Sequence, residues 1–220
     1  MNNLIKKAFA LSLFTIFYNI IEGVVSVYFG AGDETLALLG FGVDSFVEVI
    51  SGIGIAHMVF RMKYAKVQSR DLFEKTALKI TGTAFYILTA GLVIGSVLNI
   101  IYEVKPETTI PGIVIATISI VTMYWLMTSK LKVGKDLNSD AIIADANCTK
   151  TCFYLSFILL AASGLYELFH IAYFDILGSL GIAYFAFKEG REAFEKVKTG
   201  NLLCNCHEKR EHESENKTLG

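Results

Sequence analysis

Six apolar runs alternate with short polar segments along the chain. A membrane-spanning helix needs about 20 predominantly apolar residues, and the first five runs approach or exceed that length. The sixth run is short and needs Ala172 and Tyr173 to complete it. The pattern predicts an all-α, polytopic membrane protein with six transmembrane helices. The runs are Ala8–Phe29, Leu36–Phe60, Leu78–Tyr102, Ile110–Thr128, Ala141–Phe169 and Ile176–Phe187.

The charged residues between the runs separate by sign. Basic residues predominate at the N-terminus and in the segments after the second and fourth runs, which lie on the same side as the highly charged segment from Lys188 onward. Acidic residues predominate in the other three loops. Cytoplasmic loops of membrane proteins carry an excess of lysine and arginine, so we expect both termini in the cytoplasm. The formal net charge of -1 gives no reason to expect nucleic acid as a partner.

The composition changes only near the C-terminus. We expect residues 1–199 to form the transmembrane domain and residues 200–220 to form a polar, disordered cytosolic tail. Cys204, Cys206 and His207 form a cluster in this tail that is able to bind soft metals. The tail lacks the second cysteine pair of a closed structural zinc site, so a metal role and a plain exposed tail remain open.

Two carboxylates lie inside the second apolar run. Asp44 and Glu48 are four residues apart and therefore share one face of a helix. Each ionisable group near the bilayer centre costs about 3 kcal/mol, so such groups occur mainly where a ligand, a partner or a water-filled cavity needs them. A buried pair satisfied by hydrogen bonds is the structural alternative.

Two cysteines in the fifth run repeat this spacing. Cys148 and Cys152 also share one helix face. Together with Asp44 and Glu48 they form a possible metal-binding set, called the four-residue site below. Oxygen and sulfur donors in a tetrahedral arrangement suit Zn²⁺, and thiolates favour softer ions such as Cd²⁺ or Cu⁺. The alternative is that the cysteines are small buried apolar residues.

Three further polar residues are candidates for a proton or metal relay. Asn19 and Glu22 share one face of the first helix with Ser26, and Glu22 lies in the middle of its run. Interhelical hydrogen bonding is the alternative that we favour for Asn19 and Ser26. Asp145 lies one turn before Cys148, where it would form the cytosolic mouth of the path.

The second, fifth and sixth runs carry a family resemblance. The segments LALLGFGVDSFVE, DANCTKTC and DILGSLGIAYFAFKEG resemble helices of the cation diffusion facilitators. This resemblance implies a six-helix, homodimeric transporter in the plasma membrane that exchanges Zn²⁺ or a related ion for protons. Asp44 and Glu48 match the family's acidic pair, whereas Cys148 and Cys152 replace its His or Asp pair. We expect a short branch without the family's cytosolic C-terminal domain.

These observations predict an exporter of a divalent transition metal, with a non-transporting metal sensor or metal-binding subunit as the alternative. The expected partners are the metal ion, the lipid bilayer and a second copy of the chain, with Zn²⁺ as transported ion and no prosthetic cofactor. The segment Gly30-Ala31-Gly32-Asp33 has the form of an intramembrane aspartyl protease motif. Asp33 lies in a loop, and no earlier helix supplies a second aspartate, so we expect no enzyme activity.

Overall fold

The computed structural model describes residues 2–33, 35–62 and 72–199, and these residues form six α-helices and no strand. The predicted all-α fold is confirmed. The helices are α1 (Asn2–Gly32), α2 (Leu36–Met62), α3 (Leu72–Ile101), α4 (Ile110–Asp136), α5 (Asp140–Phe169) and α6 (Tyr173–Thr199).

Among these helices, α1 to α5 are long and apolar enough to cross a membrane. The sixth helix falls short of this measure because charged residues fill its second half from Lys188 onward. Large apolar side chains cover the outside of the bundle, where Phe17, Ile21, Ile87 and Val121 are each more than 60% exposed. This surface suits lipid, and the protein is an integral membrane protein.

Several helices extend beyond the predicted runs, and the first begins at Asn2 rather than Ala8. The third begins at Leu72 rather than Leu78, the fourth ends at Asp136 rather than Thr128, and the sixth continues to Thr199. Apolar runs mark the part of a helix inside hydrocarbon, whereas a helix continues into the interfacial layer with polar residues. The sequence pattern therefore underestimated these helices at their polar ends.

The three loops α1–α2, α3–α4 and α5–α6 meet at one end of the bundle, called the loop end. Asp175 of α6 accepts hydrogen bonds from the backbone N–H groups of Leu36 (2.9 Å) and Ala37 (3.1 Å), which begin α2. Glu167 of α5 accepts from the backbone N–H of Thr109 (2.6 Å), next to the start of α4. Carboxylates at helix N-termini satisfy free backbone donors and complement the helix dipole. These contacts fasten the helices together at the loop end.

The opposite end, called the terminal end, holds both ends of the described chain. The closest helix pairs are α1 with α2, α4 with α5, and α3 with α6. One apolar cluster, which includes Phe41, Leu88 and Leu159, lies toward the loop end. A second cluster, which includes Met58 and Met123, lies toward the terminal end. Buried polar residues occupy the layer between the two clusters.

Candidate metal site

A cavity of about 60 Å³ opens in this polar layer and extends toward the terminal end. Asp44 and Glu48 of α2 line it, as do Cys148 and Cys152 of α5. A water molecule needs about 10–15 Å³ of cavity volume, so the space is sufficient for a metal ion with part of its hydration shell. The four residues that the sequence pattern grouped therefore face a common cavity.

One direct contact joins α2 to α5 within the cavity. The Glu48 carboxylate accepts a hydrogen bond from the Cys152 thiol. Glu48 lies one helical turn after Asp44, and Cys152 lies one turn after Cys148. Each pair therefore projects from one face of its helix. The register of the two helices thus brings a carboxylate and a thiol to the same depth.

The other two members of the set, Asp44 and Cys148, do not take part in this contact. Asp44 is only 3% exposed, and its Oδ1 atom has no hydrogen-bond partner among the described residues. Buried carboxylate oxygens are normally paired, so an unpaired one facing a cavity is available to a ligand. Cys148 and Cys152 are both free cysteines. Within the described ranges, no three His, Cys, Asp or Glu side chains are grouped closely enough to hold a metal ion, so four-ligand coordination stays a prediction.

The predicted relay residues occupy different positions around the cavity. Asn19 lines it and donates from Nδ2 to Glu48 Oε2 at 2.9 Å, which holds the second oxygen of that carboxylate. Glu22 lies outside the lining and accepts hydrogen bonds from Tyr18 (2.9 Å) and Ser45 (3.1 Å). The hydrogen-bonding interpretation therefore holds for Asn19. It does not hold for Ser26, whose buried Oγ has no hydrogen-bond partner among the described residues.

Asp145 lines the cavity, but it is not a free carboxylate at the mouth of the path. The buried Lys130 of α4 donates from Nζ to Asp145 Oδ1 and to Thr149 Oγ1, both at 3.0 Å. The sequence pattern predicts that Lys130, in the basic segment after the fourth run, is a charge of a cytosolic loop. It instead continues the buried face of α4 after Met123 and Leu126, and its side chain is 2% exposed. This three- or four-residue spacing was the available signal in the sequence.

Two cavity residues of α6 were also missed. Lys196 Nζ lies 3.7 Å from Cys148 Sγ, and Glu189 accepts a hydrogen bond from Thr151 at 2.9 Å. They are seven residues apart, so both project from the face of α6 that meets α5. This segment is rich in charged residues, as solvated helix ends typically are. The sequence therefore did not indicate that Lys196 and Glu189 face the cavity.

The remaining sequence predictions lie elsewhere. Lys150, whose position between Cys148 and Cys152 predicts a side chain directed away from their shared helix face, is exposed, and its Nζ lies 5.7 Å from the centre of the Tyr154 ring. The predicted tail cluster of Cys204, Cys206 and His207 lies outside the described residues. Among the described residues, the predicted metal ligands Asp44, Glu48, Cys148 and Cys152 all line the transmembrane cavity.

The family model described as the cation efflux transmembrane domain matches residues 8–198. This range includes every residue that lines the cavity. A comparison with curated proteins gives no significant match.

The Lys130–Asp145 ion pair generates a stability prediction. Lys130→Met should lower the free energy of unfolding by about 3–5 kcal/mol, because it leaves the Asp145 charge buried without its cation. Chemical denaturation in detergent measures this change. Lys132→Met is the matched control, since Lys132 is an exposed lysine on the same helix.

The double variant Lys130→Met, Asp145→Leu should recover most of the lost stability, since apolar residues can replace a buried ion pair at little cost. If Lys130→Met were as stable as Lys132→Met, the pair would not stabilise the α4–α5 contact.

Proposed function

Because the chain belongs to the cation efflux family, we propose that it exports a divalent transition-metal ion from the cytoplasm in exchange for protons. Family membership makes the protein a membrane cation transporter, and this family is in general not enzymatic. The metal, the exchanged ion and the residues that bind the cargo are the content of the proposal.

The contact between Glu48 and Cys152 is the observation that carries the proposal. It joins α2 and α5 inside a cavity that also receives Asp44 and Cys148. A metal ion entering between the two helices would replace the shared proton with a coordinate bond to both groups. The unpaired Asp44 oxygen supplies a further donor. Small movements of the two helices would then complete the four-residue site.

The donor set favours ions of intermediate or soft character. Two sulfur and two oxygen donors suit Zn²⁺ and Cd²⁺, whereas Mg²⁺ and Ca²⁺ prefer oxygen ligands at higher coordination numbers. We therefore expect Zn²⁺ and Cd²⁺ as cargo and no prosthetic group.

Proton exchange follows from the chemistry of the same ligands. Thiols and carboxylates must lose protons to bind a metal and regain them when it leaves. Glu22 lies behind the cavity and touches Ser45 of α2, which places it beside the helix that carries Asp44. In this proposal, Glu22 on α1 exchanges protons with the four-residue site. Asn19 orients Glu48, and Asp145 borders the entrance of the cavity.

The charge asymmetry of the loops supports a direction for transport. The terminal end carries the basic segments and would face the cytoplasm, so the cavity would fill from that side.

The plasma membrane is the proposed location. A homodimer is the proposed assembly, and an apolar groove lined by Gly40, Ala84 and Gly91 between α2 and α3 offers a surface for a second copy.

Flux measurements in inverted membrane vesicles test the proposal. The protein should accumulate Zn²⁺ and Cd²⁺, an excess of Mg²⁺ or Ca²⁺ should not compete, and Asp44→Ala or Cys148→Ala should abolish accumulation because each removes a ligand. Ser26→Ala is the control, since Ser26 is a buried polar residue away from the cavity. Metal binding without flux would support the sensor alternative, and full activity in both ligand variants would refute the site.

The relay role of Glu22 has its own test. Glu22→Gln preserves the size of the side chain and removes the exchangeable carboxyl proton. We expect metal binding at fixed pH to persist, while metal flux loses its dependence on an imposed pH difference across proteoliposomes. A variant that responds to the pH difference like the original protein would exclude Glu22 from the proton path.

A further inference from the structure

A lysine ammonium group lies beside a proposed metal ligand. Lys196 is 6% exposed, and its Nζ atom lies 3.7 Å from Cys148 Sγ within the cavity. The same Nζ atom pairs with Glu192 Oε1 at 2.9 Å, one turn earlier on α6. The sulfur atom that would receive the cargo is therefore already in contact with a cation.

This placement is not a general property of lysines at the ends of membrane helices. Long basic side chains usually extend toward the interface and keep their charged groups in water. Lys198, two residues later on α6, is exposed in this manner. Burial of the strongly hydrated Lys196 ammonium costs free energy, and its contacts with Glu192 and Cys148 offset part of that cost.

We propose that Lys196 is a tethered cation that engages Cys148 in the empty cavity and must be displaced by the arriving metal ion. This inference rests on the proposed function. An ion then occupies the site only if its binding free energy exceeds the free energy lost when the contact between Lys196 and Cys148 is broken. Glu192 retains the ammonium group after it leaves the sulfur, because their contact lies within one helix turn and does not involve the cavity ligand.

Displacement contributes to selectivity. Mg²⁺ and Ca²⁺ bind sulfur weakly. The free energy that they gain at Cys148 therefore does not offset the loss of the Lys196–Cys148 contact and the repulsion from Lys196. Zn²⁺ and Cd²⁺ form strong bonds to thiolate and overcome both. Lys196 is thus a specificity-determining residue that acts against weakly bound ions.

The sign of the effect follows from competition for one sulfur atom. Lys196 Nζ contacts Cys148 Sγ at 3.7 Å, and a metal ion that binds the same sulfur must break this contact. Protons released from Cys148 and from the Glu48–Cys152 contact can balance the two charges of the ion, so the lost contact, and not a change in net charge, favours the empty site. Removing the positive charge should tighten metal binding.

Calorimetric titration of the purified, metal-free protein with Cd²⁺ tests the inference. Lys196→Leu should bind Cd²⁺ about tenfold more tightly, because the ion no longer has to break a charge-assisted hydrogen bond to Cys148, whose contribution corresponds to roughly that factor. Lys196→Arg, which keeps the charge, should bind like the original protein. Lys198→Leu is the matched control and should leave the affinity unchanged.

The ultraviolet absorption of cadmium–thiolate bonds provides a second measurement, and a weaker band in Cys148→Ala than in the original protein would show that Cys148 takes part in binding. If Lys196→Leu does not fold, Lys196→Gln offers the same loss of charge with a polar side chain. Affinity equal to or weaker than that of the original protein in the neutral variants would overturn the inference. Absence of Cd²⁺ binding by the original protein would instead refute the proposed function.

Discussion

The structure depends on satisfying charged and polar groups inside an apolar bundle. Each ionisable group at this depth costs about 3 kcal/mol unless partners offset the cost. Glu48 has Asn19 and Cys152, and Glu22 has Tyr18 and Ser45. These contacts connect α1, α2 and α5, so the groups that form the site also determine how its helices pack.

The two ends of the bundle differ in how they are closed. At the loop end, Asp175 and Glu167 hold the starts of α2 and α4 through backbone hydrogen bonds. Toward the terminal end, the cavity is bordered by side chains, among them Lys130 and Lys196. Side chains such as Lys130 and Lys196 can give up their contacts to an arriving ion. Opening the loop end would instead require breaking the backbone hydrogen bonds that hold the starts of α2 and α4. The described conformation therefore fits a transporter that is ready to load from the terminal end.

Local periodicity explains how much of the site was predictable. The four-residue spacing of Asp44 with Glu48, and of Cys148 with Cys152, fixes a common helix face without knowledge of the fold. Lys130 and Lys196 were not predicted because lysines beside apolar runs usually belong to the interface. Their inward orientation depends on how α4 and α6 pack against α5, which sequence spacing alone does not determine.

The fold was more predictable than the site, and for a related reason. Bilayer thickness sets the length of apolar runs, so helix number and order follow from composition, whereas helix ends in the interfacial layer do not. The contact between Glu48 and Cys152 depends on the vertical register of α2 against α5. Two runs of suitable length are compatible with several registers, and packing of the apolar clusters selects one of them.

X-ray absorption spectroscopy of the Cd²⁺-loaded protein tests the central claim most directly, because it identifies the atoms bound to the ion. The account predicts a first shell that contains both sulfur and oxygen, with two sulfur neighbours that are lost together in the Cys148→Ala, Cys152→Ala double variant. A shell without sulfur would exclude the two cysteines as ligands, and sulfur neighbours that persist in the double variant would place the metal outside the transmembrane cavity. Either result would contradict the account.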